Sequence, residues 1–453
     1  MEEEIKNNKE ILSKNLFPVV GIGASAGGLE AFKKLIKEIP KNSGIAYILV
    51  QHLHPDHSSA LPEILQRESK IPVEQISDNV KVEPNHIYVI PSNKMLIATD
   101  GILKLSPRPS KDQINMPIDI FFSSLAEVHQ SHAIGIVLSG NGADGTKGLK
   151  NIKDQGGVTF AENPESSAYD SMPFSAIQAG VVDFILPPGE MPEQLIHLNK
   201  TFNILPSNEE SPAVSNAEEE SFKQILALLR TNSGVDFTYY KQSTIRRRVL
   251  RRMVIFKVDN IAQYLLALKK SKEEQDILFQ DMLIPVTAFF RDPKIFKNLC
   301  TVVLPELVKN KSSANPLRIW VAGCSTGKEA YTIAMCLHEY LGDQLSTIKV
   351  QIFATDISQV SIAKARSGIY DANEMDNLSD ERKEQFFIKN QSLYHIKKSI
   401  RGMCIFAEHN FLKDPPFANI DLVSCRNVLI YLEPFLQKKA FTIFHYALNA
   451  KGY

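Results

Sequence analysis

Two groups of residues in this chain have the types and spacing to do chemistry, and they point to different reactions. In Gly23-Ala24-Ser25-Ala26-Gly27 a serine sits between glycines directly after an apolar run, the setting of a nucleophile at a sharp strand-to-helix turn. A serine hydroxyl attacks a carbonyl only when a base takes its proton, and an imidazole base needs a carboxylate to hold its tautomer. His52 follows the run Ala46–Gln51, and Asp144 lies in Ser139-Gly140-Asn141-Gly142-Ala143-Asp144-Gly145, just after Ile134–Leu138. All three positions follow expected strands, on the edge where doubly wound sheets build their sites, and a helix starting beyond Gly27 offers its N-terminus to an oxyanion. Taken alone, the glycine motif reads equally as a structural or phosphate-binding turn. His54 and His57 compete with His52 as the base. The stretch His52-Leu53-His54-Pro55-Asp56-His57 has no matching Cys/His/Asp set at ligand spacing, which argues against a metal.

The second group opens at Trp320-Val321-Ala322-Gly323-Cys324-Ser325-Thr326-Gly327, between an expected strand at Arg318–Val321 and an expected helix at Glu329–Leu337. A glycine turn there lets a nucleoside cofactor approach the backbone closely, and Asp356, ending the strand Lys349–Ala354, is an acid placed for ribose hydroxyls. The turn lacks the G-x-G-x-x-G of dinucleotide sites, and a structural loop is the plain alternative.

The elements that position these residues follow from hydrophobic periodicity. From Phe17 to about Pro188, short apolar runs (Phe17–Ile22, Ala46–Val50, Ile134–Leu138, Val158–Ala161) alternate with helical stretches such as Leu29–Ile39, the rhythm of a parallel α/β sheet. Leu205–Glu220 is rich in Pro, Ser and Glu and is read as a linker. Between Ser221 and about residue 300 the period becomes 3.6, over Phe222–Leu229, Thr244–Ile255, Ile261–Lys269 and Glu273–Leu283, which predicts a small all-helical domain. The α/β rhythm returns from about residue 301 to Tyr453, with strands at Arg318–Val321, Lys349–Ala354, Met403–Glu408 and Ile420–Cys425. The fold class is therefore α/β: two doubly wound, mostly parallel Rossmann-like sheets separated by a linker and a helical domain.

A chain of 453 residues with 44% hydrophobic content exceeds one ordinary core. Its 51 basic and 51 acidic residues balance, so no overall field favours nucleic acid or an anionic membrane. Five cysteines with no C-x-x-C pair read as reduced thiols. With a charged Met1–Lys14 segment and no apolar stretch of eighteen residues, this predicts a cytoplasmic protein with no membrane insertion.

The motifs taken together carry two family resemblances. Val20–Gly28, Val50-Gln51-His52-Leu53, His86–Pro91, Pro117–Leu125, Leu138–Gly145 and Met172-Pro173 resemble the catalytic domain of CheB-type chemotaxis receptor methylesterases over residues 17–195. This implies Ser25 as nucleophile, His52 as base and Asp144 as orienting carboxylate. The implied reaction is hydrolysis of receptor glutamate γ-methyl esters, with glutamine deamidation as a related activity. The chain departs from the pattern at Ala26 and Asn141, and it shows no phosphoaccepting receiver domain ahead of this region.

Gly234–Lys241, Thr287–Asp292, Trp320–Ala334, Ala354–Ile357, Ala365–Tyr370, Asn410-Phe411 and Cys425–Tyr431 resemble the CheR-type receptor glutamate methyltransferases over 221–453. The implied cofactor is S-adenosyl-L-methionine, with no metal. Thr287, Arg291 and Glu329 would hold its methionine part, Asp356 its ribose, and Asn410 with Phe411 its adenine side. Arg426, Asn427 and Tyr431 would lie by the methyl group and the substrate carboxylate. Pro285 stands where the family often has Asn. The implied partner is a methyl-accepting chemoreceptor.

Arg246-Arg247-Arg248-Val249-Leu250-Arg251-Arg252 predicts a basic helix, read either as a solvated face or as a surface for an acidic receptor helix; without interleaved aromatics it does not suggest nucleic acid. The chain ends at Tyr453, where the methyltransferase family continues into closing strands, so an unpaired sheet edge is expected. The leading reading is a fused methylesterase and methyltransferase; a scaffold that keeps the folds and has lost one or both activities is the competing class.

Overall fold

The computed structural model describes residues 17–51, 60–99, 101–108, 116–202, 216–284 and 286–453. They form two compact units: the residues up to Gly234 together with Ile245–Leu278, and Val235–Thr244 together with Phe279–Tyr453.

The strands of the first unit are β1 (Val19–Ala24), β2 (Ala46–Gln51), β3 (Val73–Gln75), β4 (Val80–Lys81), β5 (Ile87–Val89), β6 (Lys94–Thr99), β7 (Ile102–Pro107), β8 (Ala133–Val137), β9 (Val158–Glu162) and β10 (Phe184–Leu186). Seven of them make a parallel sheet in the order β10-β9-β8-β1-β2-β5-β3, and β4, β7 and β6 form a small antiparallel sheet. Strand succession reverses between β1 and β8, which opens a crevice at their C-terminal ends. Every residue of β1 and β8 is buried, as expected of parallel strands covered on both faces.

The helices here are α1 (Gly28–Lys37), α2 (Leu61–Glu68), α3 (Pro117–His129), α4 (Thr146–Asp154), α5 (Ser171–Gln178) and α6 (Met191–Phe202). In α1 the buried Ala31, Phe32, Leu35 and Ile36 recur at helical spacing while Lys34 and Lys37 stay exposed, so one apolar stripe meets the sheet. That stripe packs with Leu195 and Leu198 of α6 on one sheet face. Phe121, Phe122 and Leu125 of α3 and Leu149 and Ile152 of α4 fill the other.

Four helices follow: α7 (Asn216–Ser233), α8 (Gln242–Ile255), α9 (Ile261–Lys270) and α10 (Lys272–Met282). The first begins inside the stretch read as a linker, because Glu218 and Glu219 in its first turn complement the helix dipole. Val254 of α8 joins the core beneath α1. The basic run of α8 is neither a solvated face nor an open docking surface: Arg248, Arg251 and Arg252 are all buried. Arg248 donates to the carbonyls of Lys153 (3.2 Å) and Asp154 (2.5 Å) at the end of α4. Arg251 donates to the Gly157 carbonyl (3.0 Å) and to Asp183. Arg252 forks onto both oxygens of Glu274, which also accepts from the Tyr264 hydroxyl. A guanidinium fork suits such fixed acceptors, and these partners become visible only in three dimensions.

The second unit contains α11 (Pro293–Asn298), α12 (Leu304–Val308), β11 (Leu317–Ala322), α13 (Lys328–Leu341), β12 (Val350–Asp356), α14 (Gln359–Ser367), β13 (Ile369–Asp371), α15 (Asp380–Phe386), β14 (Phe387–Asn390), β15 (Leu393–Ile396), α16 (Lys398–Arg401), β16 (Cys404–Glu408), β17 (Leu422–Ser424) and α17 (Pro434–Ala447). Four strands form a parallel sheet in the order β16-β12-β11-β17, with its switch point between β11 and β17; β13, β15 and β14 make an antiparallel ribbon. Trp320 of β11, fully buried, packs edge-on against Phe417 and Phe444 and donates its indole N–H to Thr355 Oγ1 at 3.0 Å. The expected bare edge beside β17 is partly covered. Asn449 N donates to the Ile420 carbonyl (2.8 Å), Tyr453 N to the Asp421 carbonyl (2.9 Å), and Val423 N to the Tyr453 carbonyl (2.9 Å). Among the described residues no helix is long and apolar enough to cross a membrane.

Candidate functional site

Each unit brings its chemically equipped residues to the switch point of its own sheet. In the first, Ser25 follows β1 directly, and its amide donates to the Ser139 carbonyl at 3.0 Å, tying the serine turn to the loop after β8. Gly140 must be glycine, since a Cβ there would stand 2.1 Å from the Met172 sulfur and 3.0 Å from the Ser25 Cβ. The Ser139 hydroxyl donates to the Ala26 carbonyl (2.9 Å) and accepts from the Tyr169 amide (3.0 Å), while the Ser139 amide donates to the buried Glu162 carboxylate at 2.8 Å. Ser139 and Glu162 thus lock three loops around Ser25, a role their sequence positions alone do not reveal.

Asp144, 2% exposed, lies in the same loop as Ser139. Its Oδ2 accepts from the Ile118 amide (3.0 Å) and its Oδ1 from the Asp119 amide (2.9 Å), both in the first turn of α3. Two amide donors in one helical turn fix the direction of this carboxylate. His52, with His54 and His57, lies outside the described residues.

In the second unit, the turn after β11 and the segment after β17 face each other across the switch point. Glu329, in the first turn of α13, accepts from the Ser424 hydroxyl (2.6 Å) and from Arg426 Nη1 (3.4 Å). Burial lifts the Glu329 carboxyl above its usual range, and Ser424 and Arg426 oppose that rise. Arg426 Nη2 also donates to the Arg291 carbonyl and to Asp292 Oδ2, each at 2.7 Å, so one guanidinium pins three loops together. Arg291 donates to the Val286 carbonyl at 3.0 Å, spending one of its five N–H groups. Thr287 is half-buried in the segment leading to Phe289 and Phe290, which are core residues as their burial shows.

Asp356 ends β12. Its Oδ2 accepts from the Ser325 amide (2.8 Å) and its Oδ1 from the Ser358 amide (2.9 Å), and burial raises its carboxyl above the usual range. Tyr240, which sequence reasoning gave no role, is close enough to feel that charge: burial first, then Asp356, pushes its phenol up to about 12. The Asn410 side chain accepts from the Leu412 amide (3.0 Å), and Phe411 points into the core, 5.5 Å from the Phe444 ring. Asn427 and Tyr431 follow β17, and the Tyr431 carbonyl accepts from the Lys241 amide at 2.9 Å.

Strain marks the same loops. Phe290, Asp292, Ser325 and Asn427, none of them glycine, hold φ between +47° and +61°. Such residues cost of order 1–3 kcal/mol each and cluster where structure serves a site. Gly323 has φ +75°, and a Cβ on it would stand 2.4 Å from Val428, so the turn leaves no room for a side chain. The Thr326 hydroxyl in this turn is buried with no protein partner. Two buried carboxylates, an arginine-pinned wall, a bare backbone turn and an orphaned hydroxyl suit a polar nucleoside with a charged amino-acid tail.

The chain thus carries two parallel α/β sheets, each with polar and charged residues gathered at its switch point. Residues 20–195 match the family model of CheB methylesterase, residues 220–283 the all-alpha domain of CheR methyltransferase, and residues 285–453 the SAM binding domain of CheR methyltransferase. A chemotaxis protein methyltransferase of Listeria monocytogenes is 30% identical over 234 residues, covering 52% of this chain and 87% of that protein. A protein-glutamate methylesterase/protein-glutamine glutaminase of Desulfotalea psychrophila is 26% identical over 208 residues, 45% of this chain and 57% of that protein. A 104.1 kDa protein of Rhodobacter capsulatus is 34% identical over 412 residues, 87% of this chain but 43% of that protein. The chain belongs to the CheB methylesterase and CheR methyltransferase families, joined in one polypeptide. It spans roughly half the length of the Rhodobacter capsulatus and Desulfotalea psychrophila proteins, 43% and 57%.

Proposed function

We propose that this chain modifies receptor glutamates in both directions, its first unit hydrolysing γ-methyl esters and its second forming them. The observation that carries this reading is the pairing of both family signatures with two equipped switch points in one chain: Ser25 beside the Asp144 loop, and Glu329, Arg426 and Asp356 around the turn after β11.

In the esterase reading, Ser25 Oγ attacks the ester carbonyl as His52 takes its proton, methanol departs with that proton, and water then releases the glutamate by the same route. Asp144, fixed by the α3 amides, orients the imidazole and stabilises its cation. The N-terminus of α1, beginning just past Gly27, would offer its amides to the oxyanion. An amide carbonyl in place of the ester gives glutamine deamidation by the same steps.

In the transferase reading, S-adenosyl-L-methionine supplies a methyl group activated by sulfonium. Thr287, Arg291 and Glu329 bind its methionine part, Asp356 its ribose, and Asn410 and Phe411 border its adenine, Phe411 through its backbone because its ring is buried. Arg426, Asn427 and Tyr431 orient the substrate carboxylate. That carboxylate is already a nucleophile at neutral pH, so these residues position it without moving a proton. The partner in this reading is a methyl-accepting chemoreceptor, and the protein works in the cytoplasm.

The test is methylation of receptor membranes by the purified chain with labelled cofactor, followed by release of labelled methanol after the cofactor is removed. Both steps are expected. A chain that binds cofactor and receptor yet performs neither step would instead be a scaffold.

A further inference from the structure

Asp119 stands at the third position of α3, 9% exposed, and outside every role assigned above. The N-cap residue of α3, Met116, makes no side-chain cap, and neither does Gly145 ahead of α4. Each helix is capped instead from the other side. Asp144, just before α4, accepts from the Ile118 and Asp119 amides of α3, while Asp119 Oδ1 accepts from the Gly148 amide in the first turn of α4 at 2.7 Å. The two first turns also pack closely, since a Cβ on Gly148 would stand 2.4 Å from the Phe122 Cβ. Ile118, between them, presses on Gly23 in the strand that carries Ser25.

We propose that Asp119 is a positioning residue of the esterase centre: it anchors the α4 N-terminus that presents Asp144, and its ionisation switches the charge beside that carboxylate. The inference rests on reading Ser25 and Asp144 as esterase machinery. Burial, with Asp144 beside it, pushes the Asp119 carboxyl up to about 7; the Gly148 and Gly145 amides and Lys147 pull the other way. Among the strands packed on α3, β1 and β8 carry no titratable side chain, β2 carries only the buried Tyr47, and β6 only Lys94 at its exposed end. His132 lies in the short turn that ends α3. On α4, Lys150 pairs with Asp154 and Lys153 with Asp183, which leaves Asp144 and Lys147 as the charges acting on Asp119.

Below about pH 7 Asp119 is neutral; above it Asp119 adds a negative charge to the helix junction that it shares with Asp144. The folded carboxyl holds its proton more tightly than the unfolded one, so the stabilisation is complete at low pH and is lost as pH rises through about 7. The added charge also raises the proton affinity of the base that Asp144 orients.

The test uses the full chain with Asp119→Asn, which is neutral at every pH and keeps an acceptor for Gly148, and Asp119→Leu, which removes the acceptor. In Asp119→Asn the acid limb of kcat/KM for methyl ester hydrolysis should move down by about one pH unit or less. Its esterase-unit Tm should lose the decline expected of the wild type between about pH 4 and pH 7. Asp119→Leu should lower kcat about ten- to a hundredfold with KM little changed, and Asp119→Asn should restore most of it. An Asp119→Asn protein with the wild-type pH profile and the wild-type Tm slope overturns the proposal, whether or not the Leu variant folds. The Tm comparison repeated in a Ser25→Ala background separates the two readings: hydrolysis surviving Ser25→Ala defeats the esterase assignment, while the Tm slope still reports on Asp119.

Discussion

Arg251 and Asp183 form an ion pair in which the two side chains are 1% and 4% exposed, with the Gly157 carbonyl on Arg251 and Lys153 and Thr159 on Asp183. Burial alone would raise the Asp183 carboxyl, but Arg251 and Lys153 bring it below its usual range. Removing one partner of a buried pair strands the other. Arg251→Ala should therefore destabilise the first unit by about 3–5 kcal/mol in urea denaturation, whereas Arg246→Ala, which frees the half-exposed Glu219 and uncovers the Phe222 ring, should cost about 1 kcal/mol. The depressed carboxyl adds stability above about pH 4, its unfolded value, and loses it as pH falls below that. Equal, small losses for both variants would show that the α8 arginines do not hold this unit together.

Ser25→Ala should abolish methanol release from methylated receptor, a loss of about 10⁴- to 10⁶-fold, because it removes the proposed nucleophile. The variant keeps the backbone bonds that Ser25 makes to Ser139 and Gly28 and removes no core volume, so it should unfold at nearly the wild-type temperature. Release at the wild-type rate would move the nucleophile elsewhere.

Asp356→Ala should weaken binding of S-adenosylhomocysteine by about 1.5–3 kcal/mol in calorimetric titration. It also frees the Ser325 and Ser358 amides, so the second unit should melt earlier even without ligand. Arg291→Ala should weaken binding with less effect on the unliganded melt, because the loops around it are pinned by Arg426 and by the Arg291 carbonyl. Wild-type affinity in both proteins would place the pocket away from these loops.

The parallel strands are legible in the sequence because both of their faces are covered, which makes them near-continuous apolar runs; β1, β2, β8, β9 and β11 lie within two residues of expectation. The glycine turns are legible for a related reason, since Gly140 and Gly323 occupy places where no side chain fits. What is not legible depends on partners distant in sequence. A run of arginines reads as surface until Asp183 and Glu274 fold against it, and Asp119 reads as one more acid in a helix until Gly148 arrives. Tyr240 gives no sign in the sequence that it will lie beside Asp356.

The last five residues give the final prediction. Cys425–Tyr431, the segment that carries Arg426 and Asn427, hangs from the three-residue strand β17, which pairs with β11 on one side. Asn449 and Tyr453 add backbone bonds to Ile420, Asp421 and Val423, and the Asn449 side chain donates to Asp421 Oδ1 at 2.7 Å. Asp421 is held in turn by Lys311 Nζ at 2.6 Å and by the Arg318 amide at 2.9 Å, which ties this end of the chain to β11. Ending the chain at Leu448 removes the bonds made by Asn449 and Tyr453, each worth about 1 kcal/mol, from a domain whose whole stability is roughly 5–15 kcal/mol. The shortened protein should show a lower melting transition for its second unit and weaker cofactor affinity, with methyl ester hydrolysis unchanged. Saturating S-adenosylhomocysteine should restore part of the lost melting temperature, because a ligand that binds only the folded form stabilises it. Scanning calorimetry of both lengths, with and without the ligand, measures this; unchanged melting and affinity after the cut would mean that β17 is braced by β11 alone.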